Sequence, residues 1–226
     1  MTPVRRGAAA LAMVLAVAGC HAGAGGSEAS SSSSTTPTSS TASLPALTPA
    51  PPAPPPAGQP ATFRDYLASI NVTGQPTPFD KATGLSVTVP VPDGWARTGD
   101  PMFSTGIEYV QPTGSAGSLP SVTLMAIRLI GDFDPREAIK HANLDALPPG
   151  CTDVTESFDD YDGFPSAAAQ GTLANAEHYS RIVLADVPSA SARYLVQMTV
   201  TTKSDQPIAQ SPPLSEIVSG FKVAVS

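Results

Sequence analysis

The spacing of apolar residues changes along the chain, and these changes predict the order of helices and strands. The first helical pattern repeats at i, i+3, i+4 and i+7: Phe63, Tyr66, Leu67 and Ile70. A helix start of the form Thr62-x-x-Asp65 precedes it, because a threonine hydroxyl can accept a free backbone N–H of the first turn. Gly74 and Pro76 are expected to end this helix.

Three strands are predicted in the next segment. Residues 85–91 alternate strictly between apolar and polar positions, and Pro90 favours a place near a sheet edge because proline donates no backbone hydrogen bond. A second strand is predicted at 107–111. Residues 121–130 are almost continuously apolar, which predicts a central strand covered on both faces.

A second helix is predicted from Asp134, which can cap it, with Pro135 at its first position and Glu137 three residues after the cap. Residues 148–150, Pro-Pro-Gly, are expected to stop it. Its predicted apolar face is built mostly from small residues: Ala138, Ile139, Ala142 and Ala146.

The last third of the chain reads mainly as strand. Weak strand character at 154–158 is followed by a predicted hairpin of 165–173 and 177–185, and then by a strong strand at 193–202. A final helix opens at Pro212, and its apolar residues again repeat at helical spacing: Leu214, Ile217, Val218 and Phe221.

The predicted fold class follows from this order of elements. Consecutive strands joined by short turns favour antiparallel pairing, and helices at both ends and in the middle can cover the faces of a sheet. We therefore expect an α+β domain over residues 61–226, with a mainly antiparallel β-sheet flanked by helices in an α/β/α sandwich. A chain of that length can bury a core of its own.

The amino-terminal segment has the organisation of an export signal. Arg5 and Arg6 precede an apolar run at 8–18 that is too short to span a bilayer. The run ends in Val-Ala-Gly19-Cys20, which resembles a bacterial lipobox. That resemblance implies a signal peptide at 1–19, cleavage after Gly19, and S-diacylglycerol and N-acyl groups on Cys20. An ordinary secretory signal with a chance cysteine is the alternative.

Residues 20–60 are dominated by Ser, Thr, Pro, Ala and Gly, and include runs of serine and proline. Such a segment has little apolar surface to bury and cannot offset the entropy of ordering. We expect a disordered tether between the lipidated Cys20 and the domain. Its composition suits O-glycosylation, and a plain spacer is equally compatible with it.

The charge of the chain narrows the possible partners. The formal net charge is −7, and loss of Arg5 and Arg6 with the signal peptide would take it to −9. A negative surface repels phosphate backbones, so no nucleic-acid partner is expected. Attachment to the membrane is expected through lipid on the extracytoplasmic face of the cell membrane, since lipid chains need no help from surface charge.

No catalytic constellation is visible. There is no Gly-x-Ser-x-Gly elbow, and Cys, His and acidic residues have no metal-ligand spacing. His141 and His178 are interpreted as surface or half-buried residues, and the acidic run at 159–162 as a solvated turn in preference to a calcium loop. Cys151 is interpreted as a buried small hydrophobic residue, with a reactive thiol as the alternative. We therefore predict a non-enzyme without cofactor or metal.

Several short motifs in a fixed order resemble the LpqN/LpqT family of mycobacterial lipoproteins. They are FxxYL at 63–67, VPVPDGW at 89–95, GDFDP at 131–135, GFPS at 163–166 and YLVQ at 194–197. The resemblance spans 62–225. It implies a Mog1/PsbP-like fold, a location in the cell envelope, and a part in trehalose mycolate traffic beside membrane transporters. It implies no catalytic residues.

Three functions from different classes remain compatible with the sequence. The first is a lipid-binding accessory protein for envelope glycolipid, the second is a lipid-anchored scaffold for proteins, and the third is a hydrolase with an unrecognised site. In a lipid-trafficking family the small side chains of Ala138, Ala142 and Ala146 favour a groove for an acyl chain over close packing on the sheet. A long apolar cavity would support the first function, and a Ser or carboxylate beside His141 or His178 the third.

The anchor generates a first prediction. Replacing Cys20 with Ala should abolish lipidation and leave the precursor uncleaved, because alanine has no thiolate to accept the diacylglyceryl group. Metabolic labelling with an alkyne fatty acid measures this, with Cys151→Ala as the control that keeps its label. Equal labelling of the wild type and Cys20→Ala would contradict the lipobox.

Overall fold

A mainly antiparallel sheet forms the centre of the structure, a computed structural model that describes residues 61–99, 106–115 and 119–226. Ten strands occur in these residues: β1 Thr73–Pro76, β2 Leu85–Thr88, β3 Trp95–Gly99, β4 Ile107–Pro112, β5 Ser121–Ile130, β6 Thr152–Ser157, β7 Ser166–Leu173, β8 Ala176–Val187, β9 Ala192–Lys203 and β10 Lys222–Val225. The predicted signal peptide, Gly19, Cys20 and the tether at 20–60 lie outside the described residues.

Three helices accompany the strands: α1 Phe63–Ser69, α2 Pro135–Ala138 and α3 Pro212–Gly220. A 3₁₀ segment, Ile139–Leu144, continues α2. As predicted, the Thr62 hydroxyl caps α1 by accepting the Asp65 N–H at 3.0 Å, and the Asp134 carboxylate caps α2 by accepting the Arg136 N–H at 2.8 Å.

The large sheet has the strand order β3-β4-β5-β9-β8-β7-β6, with every neighbouring pair antiparallel. Strand β5 pairs with β9 along nearly its whole length. The other edge of β5 pairs with two strands: β4 pairs with Val122–Met125, and β1 pairs with Ile127–Ile130. The predicted α+β class with a mainly antiparallel sheet is confirmed, as is the central position of residues 121–130.

Two layers cover the sheet. On one side, called here the α3 side, α3 and a two-stranded ribbon of β2 and β10 enclose a core with fully buried Leu214, Ile217 and Phe221. On the other, called here the α1 side, α1, α2 and the 3₁₀ segment pack on Leu184 and Leu195. Helices thus lie on both faces, as the predicted sandwich requires.

The alternating segment at 85–91 is shorter and lies elsewhere than predicted. It forms β2 only to Thr88, and β2 pairs with β10 in the ribbon instead of joining the sheet that contains β9. Leu85 and Val87 therefore pack onto the sheet from above, as part of its cover. Pro90 and Pro92 follow at once, and neither can donate a ladder hydrogen bond.

The first helix is ended by a different residue from those predicted. Its last turn closes at Ile70, and Asn71 adopts a left-handed conformation with φ of 60°. Asparagine tolerates that conformation better than most residues, so it ends the helix in the way that glycine often does. Gly74 and Pro76, predicted to stop the helix, belong to the short strand β1.

The second helix is a single α-helical turn followed by the 3₁₀ segment. With three residues per turn, a 3₁₀ helix places residues i and i+3 on the same side. This brings Ile139 and Ala142 together onto the sheet, and both are buried. Ala138 and Ala142 are 0% exposed and Ala146, beyond the end of the segment, is 7% exposed, so these three alanines lie within the core of the α1 side.

A tight turn at residues 161–164 forms hydrogen bonds with the carboxyl-terminal residues 221 and 223. Asp162 and Gly163 have φ of 52° and 84°, and Tyr161 and Phe164 exchange two backbone hydrogen bonds across them. The Asp162 carboxylate accepts the Val223 N–H at 2.8 Å, and the Tyr161 hydroxyl donates to the Phe221 carbonyl. Burial, with a smaller contribution from Asp162, raises the pKa of Tyr161 and keeps this donor protonated.

This turn yields a stability prediction. Asp162→Ala should lower the free energy of unfolding by about 1–3 kcal/mol, because it leaves the Val223 N–H without its acceptor and puts a Cβ without a compensating hydrogen bond at positive φ. Asp162→Asn keeps an oxygen acceptor and tolerates the left-handed region, so it should cost less. Urea denaturation measures both variants, and equal losses would show that the hydrogen bond is unimportant.

The buried alanines yield a second stability prediction. Ala142→Phe should overpack the α1 side and cost about 1–3 kcal/mol of unfolding free energy, since Ala142 is 0% exposed and packs within the core of that side. Lys140→Phe is the matched control, because Lys140 is exposed on the same segment. A stable Ala142→Phe protein would mean that the site can open into a groove.

Candidate functional site

A largely apolar groove lies between α1 and the α1 side of the sheet. Its volume is about 500 Å³, within the usual range for small-molecule pockets of about 300–1,000 Å³. Its apolar lining comes from five parts of the chain: Phe63, Leu67 and Ala68 of α1, Val72 and Pro76 around β1, Met125, Ile127 and Leu129 of β5, Ile182 of β8, and Leu195 of β9.

Helix α1 forms the outer wall of this α1 groove and is held by polar contacts at its start. The Asp145 carboxylate accepts the Phe63 N–H at 3.0 Å, which satisfies one of the free donors of the first helical turn. The Tyr66 ring stacks on His141 with 3.8 Å between ring centroids. Both contacts join α1 to residues of the 3₁₀ segment or just beyond it, and Asp145 itself lines the groove.

The floor of the α1 groove becomes polar along the strands. The row Ile127–Leu195–Leu184 is apolar, and the next row is Met125–Gln197–Ile182. The following row, Thr123–Thr199–Ser180, carries only hydroxyl groups. Alternation of side chains puts all three rows on the same face of the sheet.

Gln197 marks the boundary between the apolar and the polar rows. Its amide nitrogen donates to the Ser180 hydroxyl at 3.0 Å and contacts the Thr199 hydroxyl at 3.4 Å. These bonds fix the side chain of Gln197, which lines the groove. A ligand with an apolar chain and a hydroxyl-bearing head would find matching surfaces in that order.

The three alanines predicted to line a groove are not among the lining residues of the α1 groove. They pack beneath the 3₁₀ segment, while the groove opens between α1 and β5. Four residues that line the groove were not predicted from the sequence: Met125, Ile127, Leu195 and Gln197. The signal for these residues was the second set of alternating positions in 121–130 and 193–202.

The residues considered for catalysis have other surroundings. Nδ1 of His178 lies 3.3 Å from the Thr201 hydroxyl, and His141 stacks on Tyr66. No serine or carboxylate is within hydrogen-bond distance of either ring among the described residues. Cys151 is half-buried and packs closely against Gly171. A Cβ atom added to Gly171 would lie only 3.1 Å from the Cβ of Cys151.

The acidic residues at 159–162 have partners within the protein. Asp159 accepts the Ser157 hydroxyl at 2.7 Å, Asp160 pairs with Arg136 at 3.0 Å, and Asp162 binds the Val223 N–H. In the described part of the chain, no three His, Cys, Asp or Glu residues are grouped as metal ligands. Nor does any described helix have the length and apolar character needed to cross a bilayer.

Comparisons with known proteins agree with this architecture. A family model described as "Probable lipoprotein LpqN" matches residues 59–224. A lipoprotein named LpqT from Mycobacterium leprae is 36% identical over 172 residues, 74% of this chain and 78% of its own. The proline-rich 28 kDa antigen of Mycobacterium tuberculosis is 32% identical over 168 residues, 72% of this chain and 54% of its own.

A solved structure shares the fold. It is LpqN of Mycobacterium tuberculosis, described as involved in cell envelope biogenesis, with 18% identity and a TM-score of 0.55 over 72% of this chain and 97% of that one. The family model covers well over half of the present sequence. The chain therefore belongs to the LpqN/LpqT family of lipoproteins.

Proposed function

We propose that this lipoprotein binds an acyl chain of an envelope glycolipid in the α1 groove and assists the movement of that lipid at the cell envelope. The observation that carries the proposal is the groove itself, whose lining is mainly apolar side chains supplied by α1, β5, β8 and β9, with polar groups from Arg64, Asp145 and Gln197. Exposed apolar surface of this kind is costly in water unless it binds something.

The order of the floor residues supports an amphiphilic ligand. In the proposal the acyl chain lies along Ile127 and Leu195 in the groove. The head of the lipid lies past Gln197, where the next row of the sheet, outside the groove lining, carries the hydroxyl groups of Thr123 and Thr199. Sugar hydroxyls both donate and accept hydrogen bonds, as threonine hydroxyls do. A trehalose mycolate meets this description, and a membrane transporter is the partner to which the lipid would pass.

A lipid anchor on Cys20 would hold this groove close to the membrane. In the proposal Cys20 carries the lipid after cleavage behind Gly19, residues 20–60 form the tether, and 61–226 form the domain on the extracytoplasmic face. The tether would enter the domain at Ala61, directly before the wall helix α1. An envelope role is consistent with the description of LpqN, whose fold this chain shares.

The groove favours lipid binding over the two other functions considered. A scaffold for proteins needs an exposed apolar surface but no concave site, and a hydrolase needs a nucleophile beside a base. Near the start of β8, His178 contacts the Thr201 hydroxyl, and no other described residue forms a hydrogen bond with its ring. We therefore assign the protein no catalytic role, cofactor, metal or nucleic-acid partner.

Filling the α1 groove tests the proposal. Ala68 is exposed on α1 and lines the groove, so Ala68→Phe should obstruct it without disturbing the core. We expect at least a tenfold increase in the Kd of cis-parinaric acid, a fluorescent fatty acid, measured with the full chain carrying Cys20→Ala. The thermal midpoint should change by less than about 2 °C, since surface substitutions typically change stability by about 0.5 kcal/mol or less.

Ser69→Phe is the matched control, because it adds the same ring to the next residue of the helix, outside the groove lining. It should leave the Kd unchanged. Unchanged binding in a stable Ala68→Phe protein would place the fatty acid elsewhere, and equal losses in both variants would indicate non-specific binding to exposed rings.

A further inference from the structure

A second cavity lies on the opposite face of the same sheet corner. It measures about 680 Å³ and is lined by residues 75–78 around β1, by Lys81 and Thr83, by Arg128 of β5, and by Ala190, Ala192 and Tyr194 at the start of β9. Gln75 pairs with Arg128 across β1 and β5, while the neighbouring Ile127 lines the α1 groove. Because side chains alternate along a strand, the two cavities are separated by β1 and β5.

The charge of this corner cavity is opposite to that of the chain. Its lining contains two basic residues, Lys81 and Arg128, and no acidic one, whereas the chain has 19 acidic and 12 basic residues. Arg128 is exposed, and its guanidinium has no carboxylate partner among the described residues. A cation with no carboxylate partner is available to a negatively charged ligand.

The ammonium group of Lys81 is also available to a ligand. It lies 3.3 Å from the Asp80 carboxylate, but the two side chains are 72% and 70% exposed. Ion pairs this exposed contribute little, because water screens them and both side chains lose entropy. Lys81 can therefore exchange this contact for a stronger one inside the cavity at small cost.

Tyr194 supplies an independent indication of a polar ligand. The residue is 2% exposed, and its ring packs with Ala82 and Val187, yet it lines the corner cavity. No described residue forms a hydrogen bond with its hydroxyl group. The hydroxyl oxygen is not fully buried. The hydroxyl oxygen is therefore accessible from the cavity and is available to donate a hydrogen bond to a ligand there.

We propose that the corner cavity binds a phosphate group, either free phosphate or the headgroup of an anionic lipid. Arg128 can bind two phosphate oxygens through its planar fork, Lys81 adds a second positive charge, and the Tyr194 hydroxyl donates to a third oxygen. Two cations match a phosphate dianion better than a carboxylate. The site is distinct from the α1 groove and does not depend on acyl-chain binding there.

The test is a titration of the full chain carrying Cys20→Ala, followed by ¹H–¹⁵N NMR. Inorganic phosphate and dihexanoylphosphatidylglycerol below its micelle concentration are the two charged probes, and neutral dihexanoylglycerol and acetate are the controls. Shifts centred on Lys81, Arg128 and Tyr194 are expected with at least one charged probe. A response to phosphate supports the free anion, and a response to the phospholipid alone supports a headgroup.

Variants connect these shifts to the cavity. Arg128→Gln should weaken binding at least tenfold and Lys81→Gln by a smaller factor, while Lys203→Gln, an exposed lysine at the far end of β9, should have no effect. Tyr194→Phe should weaken binding several-fold without lowering the thermal midpoint, since the hydroxyl group it removes has no partner in the described protein.

Three results would overturn the proposal. The first is the absence of shifts at the corner cavity with either charged probe. The second is equal shifts with acetate or with the neutral lipid, which would remove the phosphate specificity. The third is unchanged affinity in the Arg128→Gln protein. Because Ala68→Phe acts on the α1 groove alone, failure of one site is distinguishable from failure of the other.

Discussion

The pairing of β5 with strands on both of its edges is the constraint on which the rest of the structure depends. Strand β9 occupies one edge, and β4 and β1 divide the other between them. A strand paired in this way has no free backbone donors or acceptors, so its ten residues can be apolar on both faces without an energetic penalty. Val122 and Leu124 then build the core under α3, while Ile127 and Leu129 face α1.

The division of that edge also explains why cavities form at one corner. Strand β4 leaves β5 after Met125, and the short strand β1 takes its place from Ile127. Strand β1 has four residues, all exposed, and it does not extend the sheet further. Side chains of β5 on either face of this corner are therefore covered only in part, Ile127 on the groove side and Arg128 on the other.

Most of the long elements could be predicted because local pattern and tertiary environment agree. Strand β5 begins and ends where the apolar run does, and α3 follows from four apolar residues at helical spacing. The strands that were not predicted are short: β1, β3 and β10 have four, five and four residues. Their pairing is fixed by the neighbouring strand, so their own sequences carry little periodicity.

The lining of the α1 groove shows why the site was harder to derive than the fold. The small residues of the second helix were predicted to leave free volume for a groove. Instead, Ala142 is buried where the 3₁₀ segment approaches β7 and β8 closely, and a small side chain permits that approach. Small side chains permit close approach as readily as they leave a gap, and only the backbone spacing distinguishes the two. The free volume lies instead beside larger residues such as Leu67 and Ile127, where α1 is held at its start by Asp145 and cannot settle further onto the sheet. The volume of a cavity depends on how closely helices and strands approach one another. Here that distance involves a contact between residues 82 positions apart, which the local sequence pattern cannot predict.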